Sequence, residues 1–135
     1  MKHLYMLVLI VAVVASCGKV AGDHLPSVTT QLRSFRIALR TFHEDCGRYP
    51  SSAEGLAALI TRPSDLPEGR WKGPYLDGDS IPSDRWGHPY AYYCPSTSTT
   101  NAYDLYSCGP DGVSKSQGSD PDDINVWDLK PRPNP

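Results

Sequence analysis

The chain has no apolar run long enough to cross a bilayer. Its longest, Leu4 to Ala15, is twelve residues, against the roughly 20 that a spanning helix needs. It has no surplus of basic charge either. Thirteen Lys and Arg stand against fifteen Asp and Glu, for a net charge of −2. No Lys/Arg cluster alternates with stacking aromatics, so nucleic acid is not an expected partner. There is no Gly-x-Ser-x-Gly, no phosphate-binding glycine loop and no Cys-x-x-Cys, which removes the commonest nucleophile, phosphate and dithiol chemistries. His43 and Cys46 form a superficial Cys/His pair one helical turn apart, and a solvated helix end explains them better. The expectation is a non-enzymatic chain with no small-molecule substrate.

What the chain does have is punctuation. Thirteen Pro and eleven Gly in 135 residues call for many turns and short elements, within a length that suits one domain. Met1 to Cys17 divide into a charged start (Lys2, His3), the apolar run and a small-residue exit, the layout of a cleaved export signal. Val14-Ala15-Ser16-Cys17 resembles the bacterial lipobox, which makes residues 1–17 a lipoprotein-type signal and Cys17 the lipidated residue. Residues 18–26 are then a linker. Acyl chains on Cys17 would anchor the protein to a membrane without a spanning helix. Gly18 in place of Asp favours the outer membrane, with the domain in the periplasm or at the surface.

In the body, Val28, Leu32, Phe35, Leu39 and Phe42 recur at spacings of four, three, four and three, which draws one apolar stripe on a helix over about 27 to 46. Pro26-Ser27 mark its start and Gly47 its end. Ser51-Ser52-Ala53-Glu54 is a capping box that opens a second helix, with Leu56, Leu59 and Ile60 buried and Arg62-Pro63 at its end. An irregular stretch from Ser64 to Gly87 follows, with Trp71, Tyr75, Leu76 and Trp86 as packing anchors. Tyr90–Cys94 and Tyr103–Cys108 read as an antiparallel hairpin with a long polar loop. The domain spans 27–129, and residues 130–135 form a Pro-rich tail. A long helix, a short helix and a small antiparallel sheet make an α+β domain.

The carboxylates crowd the C-terminal end. Asp111, Asp120, Asp122 and Asp123 lie around Gly-rich turns, the oxygen chemistry that calcium takes from a flexible loop. The spacing is not that of an EF-hand, and turn-forming Asp residues are the plainer reading. In an exported chain Cys46, Cys94 and Cys108 are disulfide candidates. Hairpin geometry opposes Cys94 with Cys108, because one lies near the turn and the other at the far end. Cys46 is the expected partner of one of them, which leaves one thiol over.

Gly47-Arg48-Tyr49-Pro50, Trp71-Lys72-Gly73-Pro74-Tyr75-Leu76, Asp84-Arg85-Trp86-Gly87-His88-Pro89-Tyr90, Tyr103-Asp104-Leu105-Tyr106-Ser107 and Gly109-Pro110-Asp111-Gly112 occur in that order. Together they resemble the periplasmic domain of the major pseudopilin of bacterial type II secretion systems, protein G, from roughly Leu32 to Trp127. The resemblance implies a pseudopilin-like fold, in which the sheet packs across the apolar stripe of a long N-terminal spine helix. It also implies one structural calcium in the loop after the hairpin. Asp111 matches the first carboxylate and Asp123 the second; Asp122 is adjacent and could share the role. The family's basic leader, its Phe-Thr-Leu-Ile-Glu and its long apolar helix have no counterpart here. The first expectation is therefore a calcium-stabilised structural domain on a lipid anchor, serving a secretion or pilus-like assembly. The alternative is a genuine pseudopilin subunit whose leader lies upstream of Met1, and the third reading is a repurposed envelope binding module.

Overall fold

The computed structural model describes residues 26–131. The expected export signal, Cys17 and nearly all of the linker lie outside them, as do residues 132–135.

The apolar stripe becomes helix α1, Val28–Cys46. Its ends are closed as the sequence suggests. The Ser27 hydroxyl accepts the Thr30 N–H at 3.2 Å, and Gly47, at φ 78°, donates its N–H to the His43 carbonyl. Val28, Leu32, Phe35, Leu39 and Phe42 are all buried, at 0–3% exposure. Each such side chain contributes about 1.5–3 kcal/mol. The helix is thus held by its buried face rather than by intrinsic propensity.

The second helix is much shorter than expected. The capping box forms, with Ser51 N–H donating to Glu54 at 2.6 Å and Glu54 N–H donating to the Ser51 hydroxyl at 3.3 Å. Gly55 then takes φ 62° and breaks the turn, and only a 3-10 helix follows, Leu56–Leu59. The Glu54 carboxylate keeps its capping bond and also forms a two-pronged pair with Arg48 at 2.7 Å for each oxygen. Leu56, Ala58 and Leu59 still bury. Trp71 and Tyr75 pack as expected, the first donating to the Ala58 carbonyl at 3.0 Å and the second set edge-on to Phe42. Trp86 does not. It is 37% exposed with the Arg85 guanidinium over its ring, because the turn that holds it spends its backbone on Asp84 instead.

The expected hairpin is present as β1, Ala91–Tyr93, and β2, Asp104–Ser107. They pair antiparallel with Ala91 opposite Tyr106 and Tyr93 opposite Asp104. A third strand, β3, Ile124–Asn125, pairs antiparallel with the other edge of β2, giving the order β1-β2-β3. Two residues leave no period-2 pattern to read, so β3 was not anticipated. The sheet packs across α1: Tyr90 stands edge-on to Phe35 at 5.0 Å, and Leu105 and Tyr103 are buried beneath it. Trp127, in a 3-10 turn after β3, locks this layer by donating its indole N–H to the Tyr103 carbonyl at 3.0 Å.

All three described cysteines are free, and the bridge expected from Cys46 is not formed. The register explains it. Cys94 follows β1 at the turn end of the hairpin, where its thiol faces the Ala102 carbonyl. Cys108 follows β2 at the open end, and Cys46 is buried against the Arg70 carbonyl and the Tyr75 hydroxyl. Each thiol has its own neighbours at a different corner of the domain.

Candidate functional site

The site begins where β2 ends. Asp84 is 5% exposed. One of its oxygens accepts the N–H groups of Trp86 and His88, at 3.1 and 2.8 Å, and the other accepts the Ser107 hydroxyl at 2.6 Å. The same Ser107 oxygen accepts the Gly109 N–H. One buried carboxylate therefore welds the Asp84–His88 turn to the exit of β2 and orients the loop that follows. Three donors on a buried carboxylate offset its desolvation.

The loop from Gly109 to Asp123 closes on itself at its base. A Cβ on Gly109, whose φ is +69°, would lie 2.3 Å from the Asp122 carbonyl oxygen, so only glycine lets the two backbones pass. At Gly112 a Cβ would lie 2.7–2.9 Å from the His88 ring, and that ring also reaches the Pro110 carbonyl at 3.3 Å. His88 is more than a turn residue: it is the lid over the Gly109–Gly112 bend.

Inside the loop several donors turn toward carboxylates. Asp111 accepts the Val113 N–H at 2.9 Å. Asp123 Oδ2 accepts the Ser114 hydroxyl at 2.7 Å and the Asp120 N–H at 2.9 Å. Asp120 accepts the Lys115 N–H and the Ser116 hydroxyl, and these bonds, the Lys115 N–H foremost, hold its carboxyl below the usual range. Burial pushes the Cys108 thiol up, and the carboxylates of Asp123, Asp84, Asp111 and Asp120 push it further.

Of the residues singled out from sequence, Asp111 is exposed at the bend, and Asp122 and Asp123 are half-buried. Asp122 lies at the crossing with Gly109. Asp123 carries the one telling feature: its Oδ1 is buried and has no partner. Among the described residues no three His, Cys, Asp or Glu side chains converge as a metal-binding group, and none of the four loop acids pairs with a Lys or Arg. The arrangement is a run of oxygen donors without ion-pair partners along a loop that bends at Gly109 and Gly112. Asp84 and Ser114 were missed as contributors, whereas Asp120 was among the acids read from sequence. Their roles depend on contacts from distant segments or on hydroxyl orientation, and spacing signals neither.

The family model for type II secretion system (T2SS), protein G, matches residues 17–127. The chain belongs to that family. The type II secretion system core protein G of Pseudomonas aeruginosa is 35% identical over 139 residues, which cover 92% of this chain and 94% of that protein. The same-named protein of Aeromonas hydrophila is 40% identical over 96 residues, covering 69% and 61%. Among solved structures, the major pseudopilin from the type 2 secretion system of enterohaemorrhagic Escherichia coli superposes with a TM-score of 0.59 at 32% identity, covering 76% of this chain and 85% of that one. The fold is that of a pseudopilin, a helix under a three-stranded antiparallel sheet, and the protein G family is structural and non-enzymatic.

Proposed function

We propose that this chain is a major pseudopilin subunit of a type II secretion system, working in protein secretion from the cell envelope with its 27–129 domain in the periplasm. One observation carries the reading. The similarity to the Pseudomonas protein covers so much of both chains that it must reach back into the N-terminal apolar run, the segment by which pseudopilins pack into a filament. That supports the genuine-subunit alternative over a pseudopilin-like module on a lipid anchor. The Val14-Ala15-Ser16-Cys17 match remains the argument for lipidation at Cys17. The mass of the mature N-terminus, taken from membranes of the expressing cell, separates them. A methylated first residue supports the filament subunit, and a diacylglyceryl Cys17 overturns it in favour of the lipid anchor.

The acidic loop completes the proposal. A hard cation such as calcium fits the donor set, because Asp123 Oδ1 is buried and unpartnered and, among the described residues, no Lys or Arg forms an ion pair with the loop acids. Asp123 and Asp111 would hold it, with Asp122 beside them and backbone carbonyls filling the shell. Bound calcium supplies the positive charge that lets these carboxylates stay close. The chain's own part is to bend at Gly109 and Gly112, to cover the bend with His88, and to fix the loop's entry through Asp84 and Ser107.

A further inference from the structure

We propose that the groove between the N-terminal half of α1 and the segment after the last 3-10 turn docks on the anionic phospholipid surface of the membrane that holds the chain's N-terminus. The inference rests on the cell-envelope location proposed above, with the N-terminal apolar run in the membrane before the subunit joins a filament. The groove, about 420 Å³, is lined by Arg33, Arg36 and Lys130 together with Ile37, Leu129 and Pro131, and no Asp or Glu lines it. Arg33 and Arg36 share a face of α1 because they are three residues apart. Arg33 donates to the Lys130 carbonyl at 2.7 Å, which lays the segment beside the helix. The Arg36 guanidinium stands 6.0 Å over the Trp127 ring, so its charge stays unneutralised.

Charge pairing separates this end from the rest. Arg40, Arg48, Arg62 and Lys72 each have a carboxylate partner. Among the described residues Arg33, Arg36 and Lys130 have none. Arg70, Arg85 and Lys115 are also without a partner there, but they do not line the groove. Three of these six unpaired cations therefore meet at one groove, Arg33 and Arg36 from the N-terminal half of α1 and Lys130 from the segment after the last 3-10 turn. Thirteen residues from Ala15 to Val28 reach at most about 45 Å, and Arg33 sits only about 8 Å along the helix from Val28. The cations are thus tethered within easy reach of a surface whose field extends about one Debye length, ~10 Å. Ile37, 68% exposed at the groove, offers an apolar contact that a headgroup boundary accepts and a wholly polar partner does not. The acidic loop of a second copy is the rival occupant. Its carboxylates are the groups that calcium would neutralise, which favours the membrane.

The test uses the full chain on phosphatidylcholine vesicles with and without about 30% phosphatidylglycerol, read by co-sedimentation. At about 1 kcal/mol per basic residue, three residues predict a preference for the anionic vesicles on the order of 100-fold at low salt. That preference should collapse in the R33Q/R36Q/K130Q variant and in about 0.5 M salt. It should persist in R70Q/R85Q/K115Q, which removes the same charge elsewhere. An unchanged preference in the first variant, or an equal loss in the second, overturns the proposal. So does crosslinking in which the first variant loses self-association while lipid preference is unaltered. Failure to bind neutral vesicles would instead strike the anchorage reading, and a surviving anionic preference would leave the docking intact.

Discussion

Alanine at Gly109 and at Gly87 should have very different consequences, although both glycines have positive φ. At Gly87, φ 86°, a Cβ meets nothing within 4 Å, so only the left-handed backbone is penalised, by about 1–2 kcal/mol. At Gly109, φ 69°, the same penalty applies, and the Cβ also lies 2.3 Å from the Asp122 carbonyl oxygen. Backbone cannot rotate aside as a side chain can. The 122–123 segment must move, which drags β3 from β2 and disturbs the bonds that Asp123 makes. Forced overpacking of this kind adds about 1–3 kcal/mol, for a total of roughly 2–5 kcal/mol. With midpoints moving about 4 °C per kcal/mol in a domain this size, Gly87→Ala should lower Tm by about 4–8 °C and Gly109→Ala by about twice that. Urea unfolding followed by tryptophan fluorescence and by far-UV circular dichroism gives both values. Amide exchange at Ile124 and Asn125 should quicken only in the Gly109 variant. Equal destabilisation by the two substitutions would refute the close crossing at the base of the loop.

Three further outcomes are expected. Arg48, hydrogen-bonded to Glu54, holds that carboxyl down at about 2 from an ordinary 4.5. A depressed folded-state value gives stability that is complete above about 4.5 and drains away as pH falls toward about 2. Glu54→Gln should therefore flatten the acid limb of the stability profile, and an unchanged limb would dismiss the pair as a contributor. Asp104 is buried and accepts the Ser96, Thr97 and Ser98 hydroxyls and the Thr97 N–H. Burial raises its carboxyl, but these bonds together bring it below the usual range. Asp104→Ala should cost about 2–3 kcal/mol in urea unfolding and free the 96–99 loop to exchange; a protected loop in that variant would contradict the role. Finally, EDTA should lower Tm and calcium restore it, whereas Asp123→Asn should remove the response without altering the far-UV spectrum. A calcium response that survives in Asp123→Asn would move the ion elsewhere.

The fold was legible wherever one signal decided it. The 4-3-4-3 spacing of Val28, Leu32, Phe35, Leu39 and Phe42 placed α1 to within a residue, because burial of one helix face leaves a period no other element produces. Ser27 and Gly47 closed it for local reasons. Signals that competed were misread. The Ser51–Glu54 box is real, but Gly55, at φ 62°, outweighed the helix it announced. Trp86 carries a large apolar ring, and its position is decided by backbone bonds to Asp84 that composition does not reveal. β3 is defined by pairing with Tyr106 and Ser107 rather than by its own two residues. At the loop, Asp111, Asp122 and Asp123 were visible as acids on turns. The buried, unpartnered oxygen of Asp123 was not, since burial of a single atom belongs to the folded chain alone.

The arrangement of these parts bears on how the domain would answer to an ion. The core rests on the buried face of α1 with Leu105, Tyr103 and Val126, and none of these residues draws on the loop acids. The loop rests mainly on polar contacts: Asp84 through Ser107 at its entry, Ser114 and the Asp120 N–H on Asp123 within it, and His88 over the bend, with Gly118 laid against the Tyr106 ring. Like charges that lack a basic partner repel at these separations, so loss of a cation should loosen the loop before it touches the core. The two regions meet at β3, where Ile124 and Asn125 pair with β2 directly after Asp123. That junction is where loosening would reach the rest of the domain, first through β3 and then through Trp127, whose indole bond to Tyr103 closes the layer. If the loop binds calcium as proposed, the ion would control the last strand and the surface around Trp127 and Arg36, while the helix stays folded.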